Sequence, residues 1–360
     1  MKIALLTPTF SSFSGIDRVV DEQARQLIEK GDSVDIFCFD SDMRPSSQAA
    51  LHVLGMPRKL FWQRVYRLLL PLDFIKNRRI VEGLAGFDLA YSHQYPMNWL
   101  ACLAKKRFGL KYIYYDYGIA PPAAFEGPLE RLYISLFTRL SNMTAGKADG
   151  AVSISKYLQE ELRKQTGLVS EVAYPKINTQ RFHPGLDGSA VRQKYNLEGR
   201  QVALYVGRIS PHKGIHLLIE AFNRVRSKHP EARLLIVGKH TFDAYSRRLA
   251  AMGGQGVIFT GYVPDEDIPA YYAACDVYAT ATMWEGFDLP LAEAGACGKP
   301  ALAFRLGPHP EIVEDGRTGV LVDPFDVNSF AEALHTLMDD RELNRRMGAT
   351  AARLVAERFA

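Results

Sequence analysis

The 360-residue sequence is poor in cysteine, has no long apolar run and carries no strong charge of either sign. Its four cysteines, Cys38, Cys102, Cys275 and Cys297, lie far apart, with no C-x-x-C pair and no histidine pair nearby. That spacing argues against a disulfide framework or a cysteine-based zinc site and leaves reduced, buried thiols. No apolar stretch reaches the ~20 residues that a membrane-spanning helix requires. The opening Met1–Leu6 is apolar but stops at Thr7-Pro8, too soon for a signal-peptide core, so it reads as a first strand. A formal net charge of +4, from 44 Lys/Arg against 40 Asp/Glu, is too small a surplus to point to nucleic acid. No G-x-G-x-x-G follows any strand and no P-loop is present, which counts against NAD, FAD and P-loop chemistry. No cofactor is expected.

What is present is alternation. Ile3–Leu6 reads as a strand, Thr7–Gly15 as a polar loop, Ile16–Lys30 as a helix with Val19, Val20, Ala24, Leu27 and Ile28 on one face, and Val34–Phe39 as a second strand. The pattern recurs to Tyr174 and again from Gln201 to Val322, with a Pro/Gly-rich break at Asn178–Gly188. Strand, loop and helix repeated in this way imply an α/β protein with two Rossmann-like, doubly wound parallel-sheet domains facing a cleft. The expected division is 1–185, 186–345 and a C-terminal helix at 346–360.

Chemistry concentrates in a few loops at the carboxyl ends of strands, where open parallel sheets bind ligands. In Trp284–Pro300, Glu285 precedes a helix and Glu293 lies inside it, with Asp288 as the expected N-cap and Leu289, Pro290 and Leu291 as the first turn. Two carboxylates beside a helix start suit a ligand that carries both phosphate and hydroxyls. Gly207-Arg208 and Lys213-Gly214 place two cations around a glycine turn ahead of another helix, which is what a diphosphate needs. Near the N-terminus, Gly15 could bring backbone N–H groups to an anion, with Arg18 adding charge; an ordinary turn is the other reading. Asp40-Ser41-Asp42 and Asp265-Glu266-Asp267 match D-x-D, a metal–diphosphate pattern, but read better as a polar loop and a helix cap, so no metal is expected. In Met56–Val81, Arg58, Lys59, Arg64, Arg67, Lys76, Arg78 and Arg79 alternate with apolar and aromatic residues. That stretch is either an ordinary solvated helix or a surface for an anionic membrane or an acidic acceptor.

Taken together these residues resemble the retaining glycosyltransferases of family four, which have the GT-B fold. Glu285 and Glu293 match the family's E-x7-E signature. Val206-Gly207-Arg208 with Lys213-Gly214, Gly307–Gly316 with Thr318-Gly319, Ser153–Tyr157, and the Ser14–Val20 loop are similar in the family's order. The resemblance implies a nucleoside-diphosphate sugar bound mainly by the second domain and an acceptor bound by the first. It assigns the diphosphate to Arg208 and Lys213, the ribose hydroxyls to Glu293 and the donor sugar to Glu285, with Gly15, Gly207, Gly286, Phe287, Asp288 and Leu289 lining the donor. Catalysis would be metal-independent, by front-side attack in which the leaving phosphate takes the acceptor proton. The acceptor would be a polysaccharide, a lipopolysaccharide or a lipid-linked glycan precursor, and the protein cytoplasmic, with peripheral contact at an anionic membrane through 56–81.

Three departures from the family stand out. Tyr117 occupies the place of the usual His before Gly118, and His93, at the end of the preceding strand, is either its replacement or a structural residue. Asp288 replaces a common glycine and puts a carboxylate near the expected phosphate. The chain ends at Ala360, where relatives usually continue into a helix that returns to the first domain. Two other functions fit the same motifs: a nucleotide-sugar 2-epimerase or hydrolase, and a sugar-nucleotide-binding protein without turnover.

Overall fold

Short aliphatic runs such as Ile3-Ala4-Leu5-Leu6 and Ala203-Leu204-Tyr205-Val206 are apolar at every position rather than at alternate ones. Such runs form strands covered on both faces. The computed structural model, which describes residues 1–11, 15–125, 127–239 and 243–360, places them at the centres of two parallel sheets. In the first sheet Ile3 and Leu5 pack with Val20 and Ala24 of the helix Gly15–Glu29 on one face, while Ala4 and Leu6 pack with Leu100 and Ala101 of the helix Met97–Phe108 on the other. Burying side chains of this size contributes roughly 1.5–3 kcal/mol each.

The first sheet runs in the order Ala50–Val53, Ser33–Cys38, Lys2–Leu6, Leu89–His93, Lys111–Asp116, Gly150–Ser153, Glu171–Val172. The second runs Val257–Gly261, Arg233–Val237, Val202–Val206, Val277–Thr280, Ala301–Phe304, Gly319–Val322. Every pairing within them is parallel. In both, the first strand lies between the second and the fourth, so the chain reverses its winding direction there, the arrangement of the doubly wound fold. Ala50–Val53 was not expected: it is an edge strand, largely exposed, and lacks the apolar run that marks the central ones. In the second sheet's unit, the helix Asp243–Gly253 follows the strand Arg233–Val237. The basic stretch is a helix Leu60–Leu69, a single turn at Leu70–Leu72 containing Pro71, and a helix Phe74–Gly83 capped by the Asp73 side chain.

The division into two units differs from the expected one. One unit is 1–122 with 127–173, and the other begins at Tyr174 and also takes in the short stretch from Ala123. The Pro/Gly-rich segment at 178–188 is therefore part of the second unit. Upstream of it, the Tyr174 hydroxyl donates to Glu311 at 2.8 Å, its ring packs on Phe287 and Phe359, and the Ile177 amide donates to the Phe359 carbonyl at 2.7 Å. Gly188 lies so close to the backbone of Ala274 that a Cβ there would overlap it. The C-terminal helix starts earlier than expected, at Arg341, and runs to Phe359 within this unit.

Candidate functional site

The point where the strand order reverses in the second sheet lies between Val202–Val206 and Val277–Thr280, which are neighbours. The two loops leaving these strands hold the paired glutamate and the two cations. Pro211–Lys213 forms one tight turn closed by Gly214, which sits at φ +64°, where glycine is favoured over residues with a Cβ. A Cβ on Gly214 would also overlap the Ala281 carbonyl, so this glycine lets one loop lie against the other. The lacing continues at the His212 carbonyl, which accepts from the Met283 amide at 2.9 Å and the Thr282 hydroxyl at 3.3 Å. Burial pushes the His212 imidazole down to about 3, and the nearby charges of Lys213 and Arg208 act in the same direction.

This lacing sets Lys213 against Glu285. The two form an ion pair in which each side chain is 15% exposed. Burial raises the Glu285 carboxyl, Lys213 opposes that shift, and the negative charge of Asp288 reinforces it. Arg208, one loop residue after Gly207, is exposed and makes no ion pair among the described residues. Gly207 itself has φ +152°, and a Cβ there would meet the Tyr205 hydroxyl at 2.8 Å. The loop thus carries one neutralised pair and one unpaired cation.

The helix Leu289–Ala296 begins at Asp288 as expected, but with two features the sequence did not disclose. Asp288 has φ +54° and ψ +71°, a left-handed conformation that suits glycine and, less well, Asp or Asn. One of its carboxylate oxygens accepts from the Leu291 amide at 3.2 Å, and the other meets Nε2 of His309 at 3.1 Å. His309 in turn donates from Nδ1 to the Phe304 carbonyl at 2.7 Å. Sequence reading missed this pair because the two residues stand 21 positions apart, each in a different motif. Glu293, on the second turn, accepts from the Tyr272 hydroxyl at 2.8 Å. Gly286 is buried in the turn, and Leu289 is half-buried at the first helical position. The Phe287 side chain is buried against Tyr174 and Phe359, so of the expected donor-lining residues it is the one turned into an aromatic core.

In the first sheet the reversal lies between Lys2–Leu6 and Leu89–His93. His93 is fully buried there, with Nδ1 hydrogen-bonded to the Tyr117 hydroxyl at 2.9 Å and its ring stacked on Tyr115. The two alternatives of the sequence reading are thus one bonded pair. Burial lowers the His93 imidazole to about 3 and holds the Tyr117 phenol well above its ordinary range. His93 Nε2 is buried without a hydrogen-bond partner among the described residues. Sequence reading also passed over Asp17, which is buried and organises the loop after the first strand: it accepts from the hydroxyls of Thr7, Thr9 and Ser11 at 3.1–3.2 Å and from the Ser11 amide at 2.9 Å. Burial raises its carboxyl against those bonds. Gly15 and Arg18 are exposed at the start of the following helix, and Ser14 lies outside the described residues.

Of the D-x-D candidates, Asp40 and Ser41 form a two-residue strand with Thr9–Phe10, and Asp265 pairs with Arg181 at 2.6 Å. All four cysteines are buried and unbridged. A cavity of about 400 Å³ lined by Arg192, Gln201, Asp276 and Asn344 opens at the other, amino-terminal ends of the second sheet. Arg192 there is committed to Asp276 at 3.0 Å, so the strand-end loops, not this cavity, hold the convergent chemistry.

Comparison with known proteins identifies the family and the fold. The model of the family "Glycosyltransferase Family 4" matches residues 13–181, and that of "Glycosyl transferases group 1" matches 188–354. The GDP-mannose-dependent alpha-(1-6)-phosphatidylinositol monomannoside mannosyltransferase of Mycolicibacterium smegmatis is 33% identical over 56% of either chain. The chain spans little more than half the length of the first curated relatives it matches. Among solved structures, Anabaena HepE in complex with UDP and glucose superposes with a TM-score of 0.83 at 22% identity, over 100% of this chain and 95% of that one. WaaG, a glycosyltransferase involved in lipopolysaccharide biosynthesis, does so with a TM-score of 0.78 at 18% identity, over 98% and 95%. These likenesses establish the two-domain GT-B fold, and with the two family models spanning nearly all of the sequence, the chain belongs to the family-4 glycosyltransferases.

Proposed function

We propose that the protein transfers a sugar, with retention of anomeric configuration and without a metal, from a nucleoside-diphosphate sugar to a glycan or lipid-linked acceptor. The observation that carries this reading is the Lys213–Glu285 pair beside Arg208, which has no ion pair among the described residues, at the strand-order reversal of the second sheet. A departing diphosphate develops negative charge, and fixed cations stabilise it at the moment it forms. Arg208 offers a two-pronged guanidinium and Lys213 a point charge. Glu285, adjacent to Lys213, accepts from donor-sugar hydroxyls, and Glu293, oriented by Tyr272, accepts from the ribose diol. Arg18 and Tyr117 form the acceptor side, His93 is the catalytic candidate bonded to Tyr117, and Gly15 lines the donor.

The acceptor is lipid-linked in this reading, and the first unit meets an anionic membrane at its periphery. The mycobacterial relative, named for a phosphatidylinositol monomannoside, supports that choice of acceptor. A surface of the first unit supports the membrane contact. Phe61, Trp62, Leu69, Leu72, Phe74 and Ile75 are exposed, the last two at 75% and 86%. Leu129, Leu132, Leu136 and Met143 form a second exposed stripe on the helix Pro128–Ala145. Arg64, at 3.4 Å from Glu130, joins the two helices, so the stripes flank one another. Ten of the sixteen exposed large apolar side chains among the described residues lie here. Of the seven cations in residues 56–81, Arg58, Lys59 and Arg79 are exposed without an ion pair among the described residues, against one carboxylate in that stretch, Asp73. No described helix is long and apolar enough to cross a membrane. Apolar area with basic neighbours suits insertion to headgroup depth.

The test is a panel of UDP-, GDP- and ADP-sugars read by thermal shift, followed by release of nucleotide with and without acceptor. The matching donor raises the midpoint and is consumed only with acceptor. Conversion of donor alone would indicate an epimerase or hydrolase, and a shift with no turnover over a broad acceptor panel a binding protein. Vesicles containing phosphatidylglycerol should pellet the protein at low salt. Replacing Phe74 and Ile75 by Ser should reduce pelleting several-fold; unchanged pelleting would remove this surface from the proposal.

A further inference from the structure

Asp288 presents a physical problem. It occupies a left-handed conformation that costs a residue with a Cβ about 1 kcal/mol relative to glycine, and it places a carboxylate at the head of a helix assigned to an anionic ligand. An uncompensated negative charge there opposes the diphosphate. The carboxylate is not turned to solvent: its side chain is 3% exposed and both oxygens are occupied, one by the Leu291 amide and one by His309 Nε2. His309 is fully buried. Its Nδ1 faces the Phe304 carbonyl, which only accepts, so Nδ1 carries a hydrogen, and the bond from Nε2 to a carboxylate requires one more proton in the pair.

We propose that His309 is a positioning residue for the donor: it holds the Asp288 carboxylate inside the protein and cancels its charge, so that the head of the 289–296 helix remains receptive to a nucleoside diphosphate. The inference rests on the donor site proposed above. The groups around the imidazole are few. Asp288 and Glu285 face it with negative charge and favour its proton, burial opposes it, and the balance raises the imidazole above its ordinary value. Glu285 is in turn matched by Lys213, and Glu311, on the imidazole's own short helix, is engaged by Tyr174. Tyr205 and Tyr278, which feel both carboxylates, are held neutral by burial. With the pair protonated, the diphosphate end of the site carries two neutral pairs and the charge of Arg208, while Glu293 keeps its carboxylate at the ribose end. When the pair loses its proton, one negative charge is added beside Arg208 and the site attracts an anion less strongly. Donor affinity therefore falls as pH rises through the titration of the pair, above 6.5.

The experiment is calorimetric titration of the wild type, H309L and D288G/H309L with UDP, GDP and ADP between pH 7 and 9. H309L, which leaves Asp288 without its partner, should bind the preferred nucleotide roughly tenfold more weakly at pH 7, about 1.4 kcal/mol. D288G/H309L, which removes both charges and restores glycine to the left-handed position, should regain roughly that tenfold over H309L. Its affinity should vary less with pH than that of the wild type, a comparison in which the nucleotide's own phosphate titration cancels. Equal affinity in H309L and the wild type, or equal pH slopes in the wild type and the double variant, would overturn the proposal while leaving the donor site standing. Failure of all three nucleotides to bind any variant would instead remove the donor site and the proposal with it. As a readout that needs no nucleotide, histidine 15N shifts should report a doubly protonated His309 at pH 7 in the wild type and a neutral ring in D288N; a neutral ring in the wild type would equally refute it.

Discussion

Replacing Glu285 by Gln separates two roles that one residue plays in this structure. In the free protein its carboxylate neutralises Lys213, and the two side chains are each only 15% exposed. At ordinary ion-pair separation and an effective dielectric near 20, such a pair is worth up to about 4 kcal/mol of Coulomb energy. Desolvation of both partners offsets much of that, leaving about 1–2 kcal/mol that an incoming diphosphate must overcome to recruit Lys213. Gln preserves volume and hydrogen bonding but removes the charge. The expected result is therefore split. Nucleoside diphosphate should bind roughly five- to thirtyfold more tightly, because the released Lys213 charge is available to it. Transfer should fall by at least about a hundredfold, because the carboxylate that the proposed function assigns to the donor sugar is gone. Calorimetry with the nucleotide and chromatography of the transfer product measure the two. Weaker nucleotide binding in E285Q, or turnover within threefold of the wild type, would refute the reasoning, since a merely damaged site loses both together.

Two further outcomes concern the frame around the site. F287L should lower stability by about 1–2 kcal/mol through loss of ring contacts with Tyr174 and Phe359, seen as a reduced urea midpoint, whereas a surface donor contact would leave the midpoint unchanged. Asp116 is buried beside the Tyr117 pair, and burial raises its carboxyl from near 3.8 to about 6. Between those values the folded protein retains a proton that the unfolded chain releases, so this group's contribution is full below pH 3.8 and is lost as pH rises through 6. D116N should therefore be more stable than the wild type at pH 7 by up to about 3 kcal/mol and nearly equal to it at pH 4; urea unfolding at both pH values checks the difference, and an equal gap at both would contradict it.

The sequence by itself determined the class of fold and the location of the chemistry. Uniformly apolar strands separated by amphipathic helices leave few alternatives to two doubly wound parallel sheets, because each strand must be covered on both faces. Glu285, Arg208 and Lys213 were legible because glycine turns and charged residues have no packing reason to follow such strands. Local signals also placed the helix after Asp288. The edge strand Ala50–Val53 and the boundary at Tyr174 were not legible: the first is exposed and lacks an apolar pattern, and the second is set by contacts of Tyr174 and Ile177 with residues more than a hundred positions away. The tertiary structure alone decided which polar side chains are paired. It joined Lys213 to Glu285 across 72 residues, His93 to Tyr117 across 24, and Asp288 to His309 across 21. It also packed the Phe287 ring against Tyr174 and Phe359. Pairings of this kind depend on distance and burial, and a side chain's charge state follows from the partner that the fold brings to it rather than from its neighbours along the chain.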